Sequence, residues 1–392
     1  MTPGVPPLPV PDAAAREHSG RVVARVRDEI ADAGGFLSFA RYMEIVLYAP
    51  SLGYYVAGAR KFGGEGDFVT GPELSPLYGA ALARQADAIL RAIGTQRIVE
   101  LGAGSGALAA SMLNALARCR AASAPESRAY SILEVSPDLR ERQHATIAAC
   151  APAEASRVDW LDRLPQDIEG VVVMNEVLDA VAPRIVARRG GAWFERGVTW
   201  KGESLAWDER PLADARLLAL AQARFPADGD YVSEINPAAE ALVATLARRL
   251  RSGALMVVDY GFPRAEYYHP QRSAGTLMGH YRHRSHADPF LWPGLSDLTA
   301  HVDFTAIAEA AEGAGMRVAG FATQASFLLG CGILDLLAAT GAPESTTYLR
   351  EAAAVQKLIS PAEMGEMFKV LLLAGGDAAW SSLAVTDMTH RL

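Results

Sequence analysis

The run Arg97-Ile98-Val99-Glu100-Leu101-Gly102-Ala103-Gly104-Ser105-Gly106 constrains the fold more than any other part of this chain. Ile98 to Leu101 read as a short buried strand, three glycines then alternate with small residues, and helical spacing follows from Ala107 to Ala117. Strand, glycine turn and helix in that order make a nucleotide-binding corner. Glycine permits the tight turn and the close approach of a ligand, and the helix start offers N–H groups with no partner inside the helix. The spacing narrows the ligand. A dinucleotide site uses G-x-G-x-x-G to seat a pyrophosphate. Here the pattern is E-x-G-x-G-x-G, with Ala107 where the last dinucleotide glycine would stand. That argues against a nicotinamide- or flavin-dependent oxidoreductase. A glycine turn without a ligand is the competing reading of the motif alone.

The residues downstream extend the corner into an α/β fold. Tyr130 to Leu133 form a second strand ending in Glu134, and Ser136 with Pro137 opens the next helix. In adenosyl-binding folds an acid at that place accepts hydrogen bonds from ribose hydroxyls. Val158-Asp159-Trp160 is a short third strand. Asp159 is a candidate for the adenine amine, and Trp160 either stacks beside the adenine or belongs to the core. Gly170 to Met174 is a fourth strand that runs into Asn175-Glu176-Val177-Leu178-Asp179-Ala180, and Ala254 to Tyr260 a fifth. Ligands in such sheets lie off the carboxyl ends of the strands, so Asn175, Glu176 and Asp179 stand where chemistry is expected. A helix cap with two solvated acids is the alternative there.

Around this sheet the spacing predicts further parts. Helices are expected over residues 13–33 and Phe39 to Tyr48, followed by a glycine-rich aromatic loop from Ser51 to Pro72 and a helix over Pro76 to Ile93. Residues 184–235 alternate and carry aromatics, as a β-rich insertion would. Residues 262–300 read as a loop. Phe304 to Ala314, Ala325 to Ala339, Tyr348 to Leu358 and Glu363 to Leu373 read as helical, Met316 to Phe321 as a strand, and a strand pair near 370–373 and 381–387 is a further way to close the sheet. This organisation divides the chain into residues 1–75, an N-terminal tail, helices and aromatic loop, and residues 76–392, the catalytic domain with insertions at about 184–236, 262–300 and 325–360.

Composition excludes several function classes. The 392 residues are half apolar and carry a net charge of −8, which argues against bulk nucleic acid as a partner. No apolar run reaches the length of a membrane span. Cys119, Cys150 and Cys331 have no metal-like spacing and point to a reducing compartment, so a cytoplasmic protein without a disulfide framework is expected. His280, His283 and His286 fall at intervals of three, but the neighbouring arginines would repel a cation and no thiolate is near, so no metal site is expected.

Several long motifs in order resemble one family. They are Leu47-Tyr48-Ala49-Pro50-Ser51-Leu52-Gly53-Tyr54-Tyr55, Phe68-Val69-Thr70-Gly71-Pro72-Glu73, the glycine run itself, Asn175 to Ala180, Asp259-Tyr260-Gly261, Gly275-Thr276-Leu277, His283-Arg284, Asp297 to Phe304, and Met364 to Lys369. The chain resembles the MidA-like group, bacterial relatives of the mitochondrial complex I assembly methyltransferase. The resemblance implies a class I methyltransferase fold, with a Rossmann-like seven-stranded sheet, an N-terminal helical extension and β-rich and helical insertions. It implies S-adenosyl-L-methionine as cofactor. From the mitochondrial members it implies N-methylation of an arginine on a complex I subunit, hence a protein substrate. The pattern departs from the family at Pro76, Ala80, Ser111 and Ala180-Val181-Ala182, which flank the expected sites and bear on substrate identity.

Methyl transfer from a sulfonium is an in-line displacement that needs an aligned, desolvated nucleophile and a place for its proton. Paired carboxylates suit a guanidinium, which they hold by forked hydrogen bonds. The expected catalytic residues are therefore Glu176 and Asp179, with Asn175 orienting the substrate or the methionine part of the cofactor. The expected cofactor residues are Glu100, Gly102, Gly104, Gly106, Glu134, Asp159, Trp160 and Asn175. Asp259 and Tyr260 form the next layer, and the Tyr54–Phe68 loop is a candidate lid. A small-molecule methyltransferase and a non-catalytic adenosyl-binding assembly factor are the competing functions.

Overall fold

The computed structural model describes residues 8–56, 70–119, 130–377 and 379–392, and the chain divides into two compact units. The unit built from 70–179, 239–267 and 301–392 holds the glycine run. Its sheet contains strands β1 (Ile98–Leu101), β2 (Tyr130–Leu133), β3 (Val158–Leu161), β4 (Ile168–Asn175), β5 (Leu250–Phe262), β6 (Arg317–Thr323) and β7 (Phe368–Gly375). Their order across the sheet is β6-β7-β5-β4-β1-β2-β3, and the two-residue strand Val302–Asp303 pairs with the end of β5. Neighbours from β3 to β5 are parallel, whereas β7 runs antiparallel to both β5 and β6.

Sequence and burial agree on why these strands sit where they do. Val171 to Met174 and Ala254 to Val258 are buried on both faces, as continuous apolar runs in a parallel sheet must be. Helices α1 (Pro76–Ile93), α2 (Ala107–Cys119) and α3 (Pro137–Cys150) follow the predicted signals. Ser75 caps α1 and Pro76 fills its first turn, Ser136 caps α3, and Gly94 ends α1 in the left-handed region. One core cluster joins α1, α2 and the sheet through Leu82, Ile89, Leu113, Ile132, Val171 and Met256.

Two helical expectations in this unit are corrected. The stretch 325–339 is two helices, Gln324–Gly330 and Ile333–Ala338, because Gly332 between them takes φ +72. The stretch from Glu363 to Leu373 is helical only over Met364–Met367 and then becomes β7. The apolar run 370–374 cannot be told apart by periodicity, and burial on both faces decides for a strand. Residues 381–387 form no strand. They fold back irregularly, with the Leu383 N–H donating to Gln85 at 2.7 Å and the Val385 N–H donating to the Ser326 carbonyl at 3.1 Å.

The other unit gathers residues 8–56, 180–238 and 268–300. The N-terminal segment, the segment expected as an insertion at 184–236 and residues 268–300 of the one expected at 262–300 pack together there, while 262–267 and 325–360 belong to the first unit. Helix Ala13–Asp32 is capped by Asp12 and helix Phe39–Tyr48 by Ser38. A five-stranded sheet runs Leu37–Ser38, Ala192–Lys201, Arg184–Arg189, Tyr231–Ile235, with Ser204–Pro211 paired on Ala192–Lys201. Val22, Val26, Phe39, Tyr42, Ile185 and Val198 lie in its core. The segment read as a loop at 262–300 contains a three-stranded sheet of Met278–Tyr281, Arg284–His286 and Asp297–Thr299. Its tight turn places Arg282 and His283 at φ +47 and +60, the geometry that a two-residue hairpin needs, without the glycine that normally announces it.

Candidate active site

The candidate site forms where β1 and β4 lie side by side. They pair in parallel with Leu101 opposite Met174, so Gly102 begins the loop beside Asn175, the last residue of β4, which pairs on its other side with Val258 of β5. From β1 the chain moves outward through β2 and β3 and then returns to β4, which makes this the switch point where the sheet opens a crevice. Gly102, Gly104 and Gly106 all take positive φ, at +65, +52 and +87. A Cβ at Gly102 would meet Val177 Cγ2 at 3.1 Å, and one at Gly106 would meet Gln143 Cα at 3.0 Å. The glycines therefore let the loop pass close to both the β4 exit and α3. The Ser105 hydroxyl donates to the Glu73 carboxylate and ties the loop to the short helix Gly71–Leu74.

Glu100, just before the loop, turns inward. The residue is 2% exposed, and its carboxylate accepts the Tyr130 hydroxyl at 2.7 Å. Burial pushes it up to about 7, the Tyr130 hydrogen bond restrains the rise, and the nearby Glu134 adds to it. Glu100, expected at the cofactor, thus bonds to Tyr130 of the neighbouring strand β2.

Glu134 leaves β2 beside the loop. Its Oε1 accepts the Ser136 N–H at 2.8 Å and its Oε2 accepts the Gln143 side chain at 3.1 Å. The same Gln143 amide donates to the Gly104 carbonyl at 3.1 Å and accepts the Trp160 indole N–H at 2.9 Å. Trp160 stacks on His144 with ring centroids 3.5 Å apart, so α3 covers one face of the indole. Asp159 precedes it on β3, partly buried, opposite Ser131 of β2.

At the β4 exit, Asn175, Glu176 and Asp179 come together with Asp259 of β5. Asn175 Oδ1 accepts the Tyr78 hydroxyl at 2.5 Å, and its Nδ2 donates to Glu176 at 3.2 Å. Glu176 itself has φ +53, a strained backbone for a non-glycine residue. Part of its area is open, yet it lies deep among protein atoms. That burial, then Asp179, pushes its carboxyl up to about 8, against the pull of Asn175 and the Gly71 N–H. Asp259 is fully buried and is raised well above the carboxylate range by burial, Asp179 and Glu176. Its Oδ2 accepts the N–H groups of Leu178 and Asp179 at 2.9 and 3.3 Å, and its Oδ1 accepts that of Tyr260 at 2.9 Å. The result is three carboxyl groups in a desolvated space that favours a bound cation.

Sequence reading missed Tyr78, Gln143 and Glu73. Tyr78 and Gln143 sit at helical core positions and carry no motif, while Glu73 fell within a motif without an assigned role. The departures at Ala80 and Ser111 lie at the contact of α1 and α2, where Ser111 is buried and donates to the Ala107 and Leu108 carbonyls of its own helix. A Cβ on the facing Gly79 would come within 1.9 Å of the Ser111 hydroxyl, so the contact leaves little room for a larger residue. Of the candidate lid, residues 57–68 lie outside the described residues. His280, His283 and His286 fall on the hairpin described above, and no group of three or more His, Cys, Asp or Glu is placed to hold a metal among the described residues.

The site has the features of an adenosyl pocket: a glycine turn at positive φ, a carboxylate fixed beside it, and a helix start. Comparison with known proteins bears on this directly. Residues 81–322 match the model of a family described as S-adenosyl-L-methionine-dependent methyltransferases. The chain is 49% identical to a Burkholderia thailandensis protein solved with bound S-adenosyl-homocysteine, with a TM-score of 0.93 over 98% of this chain and 100% of that one. It is 29% identical to the mitochondrial protein arginine methyltransferase NDUFAF7 homolog of Drosophila melanogaster, over 95% of this chain and 89% of that protein. It is also 29% identical to protein arginine methyltransferase NDUFAF7 of Mus musculus, over 86% of this chain and 81% of that protein.

Proposed function

We propose, from the premise that this chain belongs to the S-adenosyl-L-methionine-dependent methyltransferase family, that it methylates an arginine nitrogen of a protein substrate. Its cofactor is S-adenosyl-L-methionine, which when bound supplies a methyl group on a positively charged sulfur. The glycine loop, Glu134, Asp159 and Trp160 are the residues we assign to holding it.

The observation that carries the arginine reading is the carboxyl cluster at the ends of adjacent strands, in which the partly open Glu176 stands beside the buried Asp179 and Asp259. Three acids in one desolvated space are costly alone and are relieved by a cation. A guanidinium is planar, keeps its charge in any protein and donates forked hydrogen bonds to carboxylates. Glu176 and Asp179 bind and align it, and Asn175, fixed by Tyr78, orients Glu176. Methylation of a guanidinium nitrogen releases one proton; the bound cation offsets the burial and the Asp179 charge that raise Glu176, so its carboxyl ionises on binding and its carboxylate is the acceptor when the N–C bond forms. The names of the Drosophila and mouse relatives support the same substrate class.

A subunit of a complex I-like assembly is the first substrate to test, and the cytoplasm is the compartment we assign, on the unpaired Cys150 and Cys331. The decisive experiment incubates the protein with methyl-labelled cofactor and a lysate of the source organism, then maps the label. Label on arginine side chains is the expected result. Label confined to small molecules would replace this reading with a small-molecule methyltransferase, and absence of any turnover would leave a cofactor-binding assembly factor.

A further inference from the structure

The Gln143 side chain is wholly buried in α3, and every hydrogen-bonding group of its amide is engaged. Its oxygen accepts the Trp160 indole N–H, which can only donate. That contact fixes which end of the amide is which, and it turns both amide hydrogens toward acceptors, the Glu134 carboxylate and the Gly104 carbonyl. One side chain therefore joins the middle glycine of the loop, the acid at the end of β2 and the aromatic of β3, three parts that the fold otherwise supplies from separate segments. A Cβ at Gly106 would meet the Cα of this same residue at 3.0 Å, so the loop and α3 pack backbone to backbone at Gln143.

We propose that Gln143 is the positioning residue of the adenosyl pocket, setting the orientation of the Glu134 carboxylate and the curvature of the glycine loop at once. Glu134 is held from two sides, by Ser136 N–H on Oε1 and by Gln143 on Oε2. Each oxygen accepts one of these hydrogen bonds, and the pair fixes the carboxylate plane relative to the loop. Binding of a ribose diol then costs no reorientation of the carboxylate, which is how preorganisation raises affinity. Only an amide does this. A carboxylate of identical shape at 143 would face Glu134 with like charge and would offer no hydrogen to either acceptor, and an apolar residue of similar length would strand the Trp160 N–H and the Gly104 carbonyl and leave Glu134 held by Ser136 alone. The inference rests on the cofactor lying against the glycine loop and Glu134.

The test is calorimetric titration of the full chain with S-adenosyl-homocysteine at pH 8 and pH 5.5, for wild type, Gln143→Glu and Gln143→Met. At pH 8 Gln143→Glu is expected to lose ten- to hundredfold in affinity. At pH 5.5 the introduced acid, held protonated by burial and by Glu134, regains one donor, and most of the lost affinity should return relative to wild type at that pH. Wild type carries the same Glu100, Glu134, Asp159 and His144 around the position, so the ratio at each pH isolates residue 143. Gln143→Met, which has no proton to gain, should lose affinity at both pH values without recovery, and it keeps the test decisive if Gln143→Glu does not fold. Wild-type affinity in either folded variant at pH 8, or an equal loss in Gln143→Glu at both pH values, would overturn the proposal. A wild-type protein that binds no S-adenosyl-homocysteine would instead overturn the cofactor placement beneath it.

Discussion

Asp259 Oδ2 accepts the backbone N–H of Leu178 at 2.9 Å, so the end of one strand holds the exit of its parallel neighbour. The same oxygen takes the Asp179 N–H, and Asp259 has no exposed surface. The loop that presents Glu176 and Asp179 is therefore fixed by an acid that does not itself need to reach the substrate. Asp259→Ala should destabilise the protein by about 1–3 kcal/mol, since it leaves buried N–H groups without an acceptor. Asp259→Asn keeps an acceptor and removes charge, and should cost clearly less. Urea denaturation of both variants at pH 7 checks this, and equal losses would mean that the clamp is not what stabilises the loop.

Glu176 gives the second expectation, in turnover. Glu176→Gln should bind S-adenosyl-homocysteine as wild type does but transfer methyl groups ten- to a thousandfold more slowly, about 1.4–4 kcal/mol of transition-state stabilisation. The measurement is single-turnover methyl transfer with cofactor affinity determined in parallel. An unchanged rate would leave Asp179 as the substrate contact.

The raised carboxyls also predict how stability depends on pH. Glu176 moves from an ordinary value near 4.5 to about 8, and Glu100 from the same start to about 7, both chiefly through burial. Between those values the folded chain binds more protons than the unfolded one, so stability is greatest with respect to these two groups below about pH 4.5 and falls as pH rises toward 7 and 8. Glu176→Gln should flatten that fall, by about 1–3 kcal/mol between pH 5 and pH 8. Denaturation curves of wild type and variant across this range decide it, and parallel curves would show that Glu176 ionises without penalty.

Gly106→Ala addresses the loop. A methyl group there meets the Gln143 backbone at 3.0 Å and must also adopt φ +87, so the turn has to shift. Cofactor affinity should fall at least tenfold while the variant keeps its far-ultraviolet circular dichroism. Gly20→Ala, at a position with nothing within 4 Å of the added carbon, is the matched control and should bind as wild type. Wild-type affinity in Gly106→Ala would show that the turn yields.

Local sequence determined the glycine corner, the carboxyl-ended strands and the caps of α1 and α3, because each depends on residues within a few positions of one another. Glu134, Asn175, Glu176 and Asp179 were legible as site candidates for the same reason: strand ends at a switch point are where a ligand crevice falls. Tertiary structure alone decided what those residues do to each other. Val370 to Ala374 became a strand between β5 and β6 because burial on both faces, not periodicity, chose it. Gln143 and Tyr78 look like ordinary helical core positions until helix packing sets one against Glu134 and Gly104 and the other against Asn175, 97 residues away in the chain. The raised carboxyls of Glu100, Glu176 and Asp259 have the same origin. Desolvation and the field of neighbouring charges are properties of three-dimensional surroundings, which no span of a few residues contains.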